Sequence, residues 1–523
     1  MPTSTASHQG RFRRTVGLLL LIVALGAVLR VRGALDAFGF GWQHLSAHYG
    51  LIARNYLEHG VRATRFAQVI NAESVPREQW VYFTHHPPGI ALTAAASMSL
   101  WGDCAWAVRF PTLLFSILQI VVAFGLVREV AGASAALVAA ALTAFVPCGA
   151  YYGILVCDLG APVVTLSMLA LWLDVRARKR TLENPASIPT IVTIAAAALF
   201  DWPALLVAGF IAARDLLEGR RSRALRFGVL ILLLPLAHWL HVRWASGGAG
   251  RGASLLDSFL QHGLVGFRGL LDHFTLVELR QKLFHHWRTL FSVWSVPLVL
   301  AGSFALLRDG FRIRSAQASA SDRERPKLAL GTFLLGLCYT LPFARAVIVH
   351  EFWMLVFLPF VALASGVVCE RLFRLRGLQL AGPLLLVVAC AFSAKESWMR
   401  QSCDRTWYFV ELGEAIQRHT KAGLPIFTNE KESECLLFYA RRQIRGGFHD
   451  QDPRTATFLA STDRPLLPSE GWFCLLDPPV DPVSVSIEAL RTFLDSRYES
   501  AAIPLVKTGS ILTLYDFARP KDR

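Results

Sequence analysis

The feature that leaves this chain fewest options is a succession of apolar blocks, each about 17–22 residues long, running from TVGLLLLIVALGAVL near the start to PLLLVVACAF near residue 392. That is the length a helix needs to cross roughly 30 Å of hydrocarbon. The alternating ten-residue pattern of outer-membrane barrels is absent, so the spans read as helices. With 54% hydrophobic residues, 17% charged residues and a mean hydropathy of +0.42, the chain is too apolar for a soluble globular protein. The expected fold is an α-helical polytopic membrane protein.

Candidate spans are 15–34, 109–128, 132–150, 160–175, 187–200, 203–217, 226–243, 289–307, 328–345, 351–370 and 378–396, about eleven in all. The first follows RFRR and reads as a retained signal anchor. The block Pro88–Leu100, PGIALTAAASMSL, is short for a span and rich in small residues. Positive charge decides how it lies. Arg11/Arg13/Arg14, Arg176/Arg178/Lys179/Arg180, Arg214/Arg220/Arg221/Arg223, the Arg308–Lys327 group and Arg371/Arg374/Arg376 should share the cytoplasmic side. They do so only if Pro88–Leu100 lies along the membrane or re-enters it. The first external loop (about 35–108), Tyr151–Asp158, Asp201, the 244–288 loop, His350–Glu351 and the C-terminal part then all face the exterior.

After about residue 398 the pattern changes. Helix-like WYFVELGEAIQRH, ECLLFYARR and VSIEALRTFLDS alternate with strand-like PIFTN, GWFCLLDP, IPLVK and ILTLYDF. This predicts a small external α/β domain over 399–523, behind a transmembrane domain over 1–398. It carries no phosphate-binding glycine motif and no nucleophile elbow, so an accessory role is expected.

The net charge of +15 sits in short loops between apolar blocks, where lipid and topology explain it, and nucleic acid is not an expected partner. Nine cysteines are scattered singly, without CxxC, so neither a zinc site nor a disulfide framework is indicated.

The chemistry should lie in the first external loop. HLSAHYGLIARNYLEHG has apolar positions at helical spacing and predicts an amphipathic helix at the interface. Its polar side offers His44, His48, Arg54 and Asn55, with Tyr49 and Tyr56 among the aromatic positions. His48 and His59 are expected merely to solvate the helix. YFTHHPPG places His85 and His86 before a Pro-Pro that fixes the backbone in an extended form. Adjacent side chains in such a segment point opposite ways, so one of the pair is expected to be structural, and His85 is preferred as the functional one. Asp158, Asp201, His350 and Glu351 stand at the outer ends of spans, where ionisable groups persist mainly when they face a cavity or a partner. Each Asp has the alternative reading of a helix cap. His285–Arg288, HHWR, could join His85/His86 around a divalent cation, though no ligand spacing specifies one. No cofactor is therefore expected, with a divalent metal as the alternative.

The order of these features is informative: an anchor span, a long external loop with ARNYLEHG, HHPPG, LWGDCAWAVRFPT, then an isolated Asp after YYG. It resembles the GT-C type membrane glycosyltransferases of the protein O-mannosyltransferase and aminoarabinose-to-lipid-A transferase superfamily, including its bacterial branch. The resemblance covers roughly residues 10–400 and is specific in the first 160. It implies an inverting transfer of a sugar from a polyprenyl-phosphate donor to an envelope acceptor (lipid, glycan or protein) at the external face of a bacterial inner membrane. It further implies a first-loop carboxylate as base, a basic group before the Pro-Pro on the donor phosphate, and Asp158 as the second acid. Where the family carries an acid just before the loop Tyr, this chain reads HLSA. His44 is the replacement expected, since imidazole is a competent base near neutral pH. Asp36 and Asp158 are the alternatives. The expected site is therefore His44 and Asp158 for catalysis, with Tyr49, Arg54, Asn55, His85, His86, Asp201, His350 and Glu351 binding substrate. Two other classes compete: a non-catalytic relative that binds lipid-linked sugars, and a lipid transporter or flippase. The latter should show ionisable residues at mid-membrane and repeated halves, which the sequence lacks.

Overall fold

The computed structural model describes residues 4–180, 188–247, 275–312, 319–375, 377, 379–403, 406–430, 433–448, 453–455, 470–477 and 487–521. Its helices follow the apolar blocks. They are α1 (Ser4–Leu35), α2 (Gln43–His59), α3 (Gly89–Trp101), α4 (Ala105–Phe145), α5 (Ala161–Arg180), α6 (Ile188–Ala198), α7 (Ala204–Leu217) and α8 (Arg221–Ala245). Then come α9 (Leu276–Phe291), α10 (Ser295–Arg312), α11 (Ala320–Thr340), α12 (Leu358–Arg374) and α13 (Ala381–Cys403). A 3-10 turn over Glu351–Phe357 leads into α12.

Among the described residues, four helical segments are each long and apolar enough to cross a membrane: Gln9–Leu35, α4, α8 and Glu351–Arg374. α4 holds two expected spans in one helix, broken where Gly132 adopts φ 86°, a conformation that costs only glycine nothing. The expected span 289–307 is divided. α9 and α10 meet at 95°, turning at Ser292, whose φ is 63°. The other expected spans fall on shorter or more polar helices, and the count of eleven stays an expectation.

The ends of the bundle differ in chemistry. At one end Arg178 contacts Asp174, Asp215 and Glu218, and Arg223 contacts Asp174 and Asp215. Arg214 reaches Glu324, Lys327 reaches Glu218, Lys179 reaches Glu129, and Arg325 and Arg371 share Asp309. The facing ends of α5, α7, α8, α10, α11 and α12 are thus tied into one ionic layer. Their acids answer the desolvation cost that the buried guanidiniums would otherwise carry.

The other end carries the first-loop residues. α3 starts against the end of α6, where the Gly89 amide donates to the Leu199 carbonyl at 2.8 Å. It finishes beside the start of α4, where Trp101 packs on Trp106 and Phe110. Both ends of the 13-residue α3 therefore lie at the same end of the bundle, the arrangement expected of a helix that does not cross.

α2 departs from expectation. It is an internal helix, with Gln43, Tyr49, Arg54, Asn55 and Tyr56 all buried, because the C-terminal unit covers it at Arg54, the first-loop hairpin at Asn55, and the bundle at Gln43 and Tyr49. That unit carries α14 (Tyr408–His419), α15 (Glu434–Ala440) and α16 (Glu488–Arg497) around a five-stranded sheet ordered β4-β3-β5-β7-β6. β3 (Ile426–Thr428) runs parallel to β4 (Ile444–Arg445) and β5 (Trp472–Asp477). β7 (Ile511–Pro520) is antiparallel to β5 and to β6 (Tyr498–Pro504). The small α/β unit is as the alternation of patterns predicts, with its first helix beginning after α13 ends at Cys403. A two-stranded hairpin, β1 (Gln68–Val69) with β2 (Tyr82–Phe83), closes the first loop.

Candidate active site

Four side chains from four separate segments meet at the loop-bearing end. α2 contributes Tyr49, whose hydroxyl donates to Asp158 Oδ1. The Pro-Pro loop contributes His86, with Nδ1 3.0 Å from Asp201 Oδ1 and Nε2 3.5 Å from Asp158 Oδ2. Asp158 comes from the turn before α5 and Asp201 from the turn before α7. The Asp201 carboxylate also accepts from the Trp202 amide at 2.8 Å, but α7 begins after Pro203 with no side-chain cap bond, so Asp201 does not cap it and the capping reading fails. Pro87 and Pro88 set the loop: the His86 carbonyl accepts from Gln68 Nε2 at 2.6 Å and the His85 carbonyl from Trp202 Nε1 at 2.8 Å.

Burial alone would lower the His86 pKa, but Asp158 and Asp201 together hold it up at about 9, so the imidazole is cationic at neutral pH. Burial raises Asp201, with Asp158 adding to the rise and His86 opposing it. Tyr49 is pushed well above the ordinary phenol range by burial and then by Asp158, and stays a donor. The arrangement is an acid–imidazolium–acid bridge in which Asp158 is the more exposed carboxylate, at 17% against 2% for Asp201.

A second carboxylate group stands nearby. Glu351 accepts from Tyr152 and from Trp42 Nε1 (3.4 Å), and its other oxygen lies 3.4 Å from His286 Nδ1. The Trp42 ring packs between His44 (5.7 Å) and His350 (5.3 Å). His350 neighbours Trp353, which packs on Tyr339. His44 Nδ1 is 3.0 Å from the Gly41 carbonyl. A carbonyl can only accept, so Nδ1 carries a proton, and in the neutral imidazole Nε2 presents a lone pair. This is the tautomer a general base needs.

Two expected binding residues do not join these groups. Arg54 makes a bidentate contact with Asp103 (Nε–Oδ2 2.7 Å, Nη2–Oδ1 3.2 Å) and donates to the Phe438 carbonyl at 2.9 Å. Its charge is committed to the joint with the C-terminal unit. Asn55 Nδ2 donates to the carbonyls of Leu51, Val69 and Asn71, pinning the hairpin to α2. Of the histidine pair, His86 and not the preferred His85 meets the acids; the His85 ring lies edge-on to Phe83 at 5.5 Å. Both His86 nitrogens face carboxylates, so the ring ties Asp158 to Asp201. His286 reaches Glu351 while His86 reaches Asp158 and Asp201, so the two histidine pairs serve separate carboxylates. Among the described residues no group of three or more His, Cys, Asp or Glu is arranged to hold a metal ion.

Sequence reasoning missed Trp42, Gln68, Tyr152, Trp202 and His238. Only His238 carries a signal of its own, an ionisable group within an apolar block.

A narrow apolar crevice, with room for about 30 Å³, is lined by Leu159, Val163, Pro203, Leu206, Leu335 and Val356 among others. Leu159 adjoins Asp158 and Pro203 follows Asp201 by two residues, so part of its wall is built from the segments that carry the acids.

This architecture is the GT-C glycosyltransferase fold. Residues 85–244, which include His85, His86, Asp158 and Asp201, match the family described as dolichyl-phosphate-mannose-protein mannosyltransferase. The whole chain is similar in structure to ArnT from Cupriavidus metallidurans bound to undecaprenyl phosphate. The TM-score is 0.59 at 12% identity, with 95% of this chain and 98% of that one covered. It is similar also to the apo oligosaccharyltransferase of Archaeoglobus fulgidus (TM-score 0.54, 13% identity, 82% of this chain and 64% of that one). No curated protein matches the chain by sequence.

Proposed function

We propose that the protein is an inverting glycosyltransferase that moves a sugar from a polyprenyl-phosphate donor to an envelope acceptor at the loop-bearing face of a bacterial inner membrane. The observation that carries this is the bridge Asp158–His86–Asp201, whose acids stand on segments that also wall a narrow apolar crevice. A polyprenyl tail needs an apolar path that ends at a polar reaction centre, and apolar side chains adjoining both acids support one there. The similarity to an ArnT that binds undecaprenyl phosphate and to an oligosaccharyltransferase solved with dolichol phosphate supports the same assignment.

In the proposed reaction the acceptor hydroxyl attacks the anomeric carbon as the bond from that carbon to the phosphate oxygen breaks. The electron pair leaves on the polyprenyl phosphate. The hydroxyl proton passes to His44 Nε2, which stands in for the absent first-loop acid. Asp158, held by Tyr49 and His86, accepts hydrogen bonds from the sugar and stabilises positive charge developing at its anomeric carbon. His85 and His350 are the candidates for the departing phosphate oxygens, and no residue role here requires a metal. Mass spectrometry of envelope glycolipids and glycans from cells with the wild-type gene or with Asp158→Asn tests the assignment. One sugar mass should be lost in the variant while the protein stays in the membrane; identical glycan profiles would overturn it.

A further inference from the structure

The outer end of α1 begins an exposed strip that continues onto the C-terminal unit. Arg32, in the last turn of α1, reaches Ser402 Oγ at 2.9 Å and lies 3.5 Å over the Trp398 ring. The last turn of α13 is therefore level with the end of the apolar segment Gln9–Leu35. Trp407 follows Cys403, where α13 ends, by four residues, and four residues reach at most about 14 Å. The polar layer of a bilayer is roughly 5–8 Å deep on each side. The start of the C-terminal unit is thus tethered within reach of the headgroups.

The side chains along this path are apolar and uncovered. Leu35 is 62% exposed, Phe40 41%, Trp407 48% and Val506 87%. Phe40 joins the two parts, with its ring 6.1 Å from that of Tyr408 and 5.3 Å from that of Phe409. Val506 and Lys507 stand in the turn between β6 and β7, where small polar residues are usual, and the Lys507 ammonium lies 4.1 Å over the Trp407 ring. The turn is pinned in place. The Lys507 and Thr508 amides donate to the Glu411 carboxylate on α14 at 2.8 and 3.0 Å, and the Gly509 amide donates to the Leu505 carbonyl at 2.9 Å. Glu411 is turned to those amides, whose partial positive charge it answers. What the turn presents outward is a valine and an ammonium resting on an indole. A turn ordered in this way around an exposed valine is preorganised for a surface. An indole, an aliphatic side chain and cations together at the end of a span settle among headgroups, and basic groups at that depth favour anionic lipid. We infer that the β6–β7 turn, backed by Trp407, docks the C-terminal unit on the bilayer surface at the loop-bearing end and selects anionic lipid there. Such docking needs no sugar chemistry, so it holds whether or not the protein is a transferase.

The test places a nitrobenzoxadiazole fluorophore on Val506→Cys in the full chain. Cys104→Ser, Cys338→Ser and Cys403→Ser remove the cysteines that are not buried. The protein is held one copy to a nanodisc of phosphatidylcholine, alone or mixed with phosphatidylglycerol, and is quenched by lipid carrying a nitroxide at its headgroup. A control label on Arg519→Cys, eight residues past Ile511 on β7, sits about 26 Å further along the strand. Quenching should be severalfold stronger at the turn than at the control, should rise when phosphatidylglycerol is present, and should lose that rise in Lys507→Gln. Equal quenching at the two positions would overturn the docking. Quenching indifferent to phosphatidylglycerol and to Lys507→Gln would overturn the selection of anionic lipid. A label shielded only in discs that hold two copies would give the strip to a second chain and overturn both.

Discussion

At the scale of single residues, the site turns on His86 being charged. Its pKa in the folded protein is about 9, against roughly 6.5 for an unfolded histidine. The stability it contributes is complete below pH ~6.5 and is lost as pH rises through about 9. Thermal unfolding in nanodiscs should therefore show a fall in Tm between pH 7 and 10, and His86→Gln should flatten that fall. Asp158→Asn and His44→Ala should each lower sugar transfer by at least a hundredfold, the lower range for a general base, with membrane insertion intact. Transfer unchanged in both would remove the two catalytic assignments. His44, Asp158, His86 and Asp201 were legible in the sequence because an ionisable group in an oily chain is conspicuous. The pairing of His86 with Asp201 was not, since 115 positions separate them and no local pattern encodes it. Arg54 was misread for a related reason: its partners Asp103 and Phe438 lie in other segments, one of them in the C-terminal unit.

The elements matter through the contacts that set their depth. A Cβ on Gly89 would stand 2.3 Å from the Leu199 carbonyl oxygen, so Gly89→Ala must push α3 away from α6. The expected cost is about 1–3 kcal/mol, seen as a lower Tm, with a loss of transfer because His86 moves with the start of α3. The joint with the C-terminal unit depends on Asp103, which meets both Arg54 and Arg441. Asp103→Ala leaves the Arg54 guanidinium buried without its carboxylate and should cost about 2–5 kcal/mol, with faster proteolysis of the 406–523 region as the readout. The helices were readable from apolar runs and the α/β unit from its alternating patterns. The 95° turn at Ser292 was not, because no glycine or proline marks a serine that adopts φ 63°. The burial of α2 was hidden too, since an amphipathic pattern does not say whether the polar face meets water or another domain.

For the whole molecule, the ionic layer and the carboxylate site occupy opposite ends, as the parity of positive loops requires. A reporter fused after Arg523 is expected outside the cell membrane, and a cysteine placed between α7 and α8 should be labelled only from the cytoplasm. A cytoplasmic reporter signal would mean that Pro88–Leu100 crosses the bilayer. Chelation of divalent ions should leave transfer unchanged if side chains alone hold the phosphate; lost activity would assign that task to a metal.

The flat course of α3 fixes one more property. Leu100 and Trp101, 76% and 51% exposed, project from a helix that starts directly after the His86 loop, and such side chains settle among lipid headgroups. Under the proposed function they serve as a waterline mark for the reacting atoms. An acceptor would then bring its hydroxyl down to headgroup depth, which favours molecules already moored in the bilayer over those that diffuse freely above it.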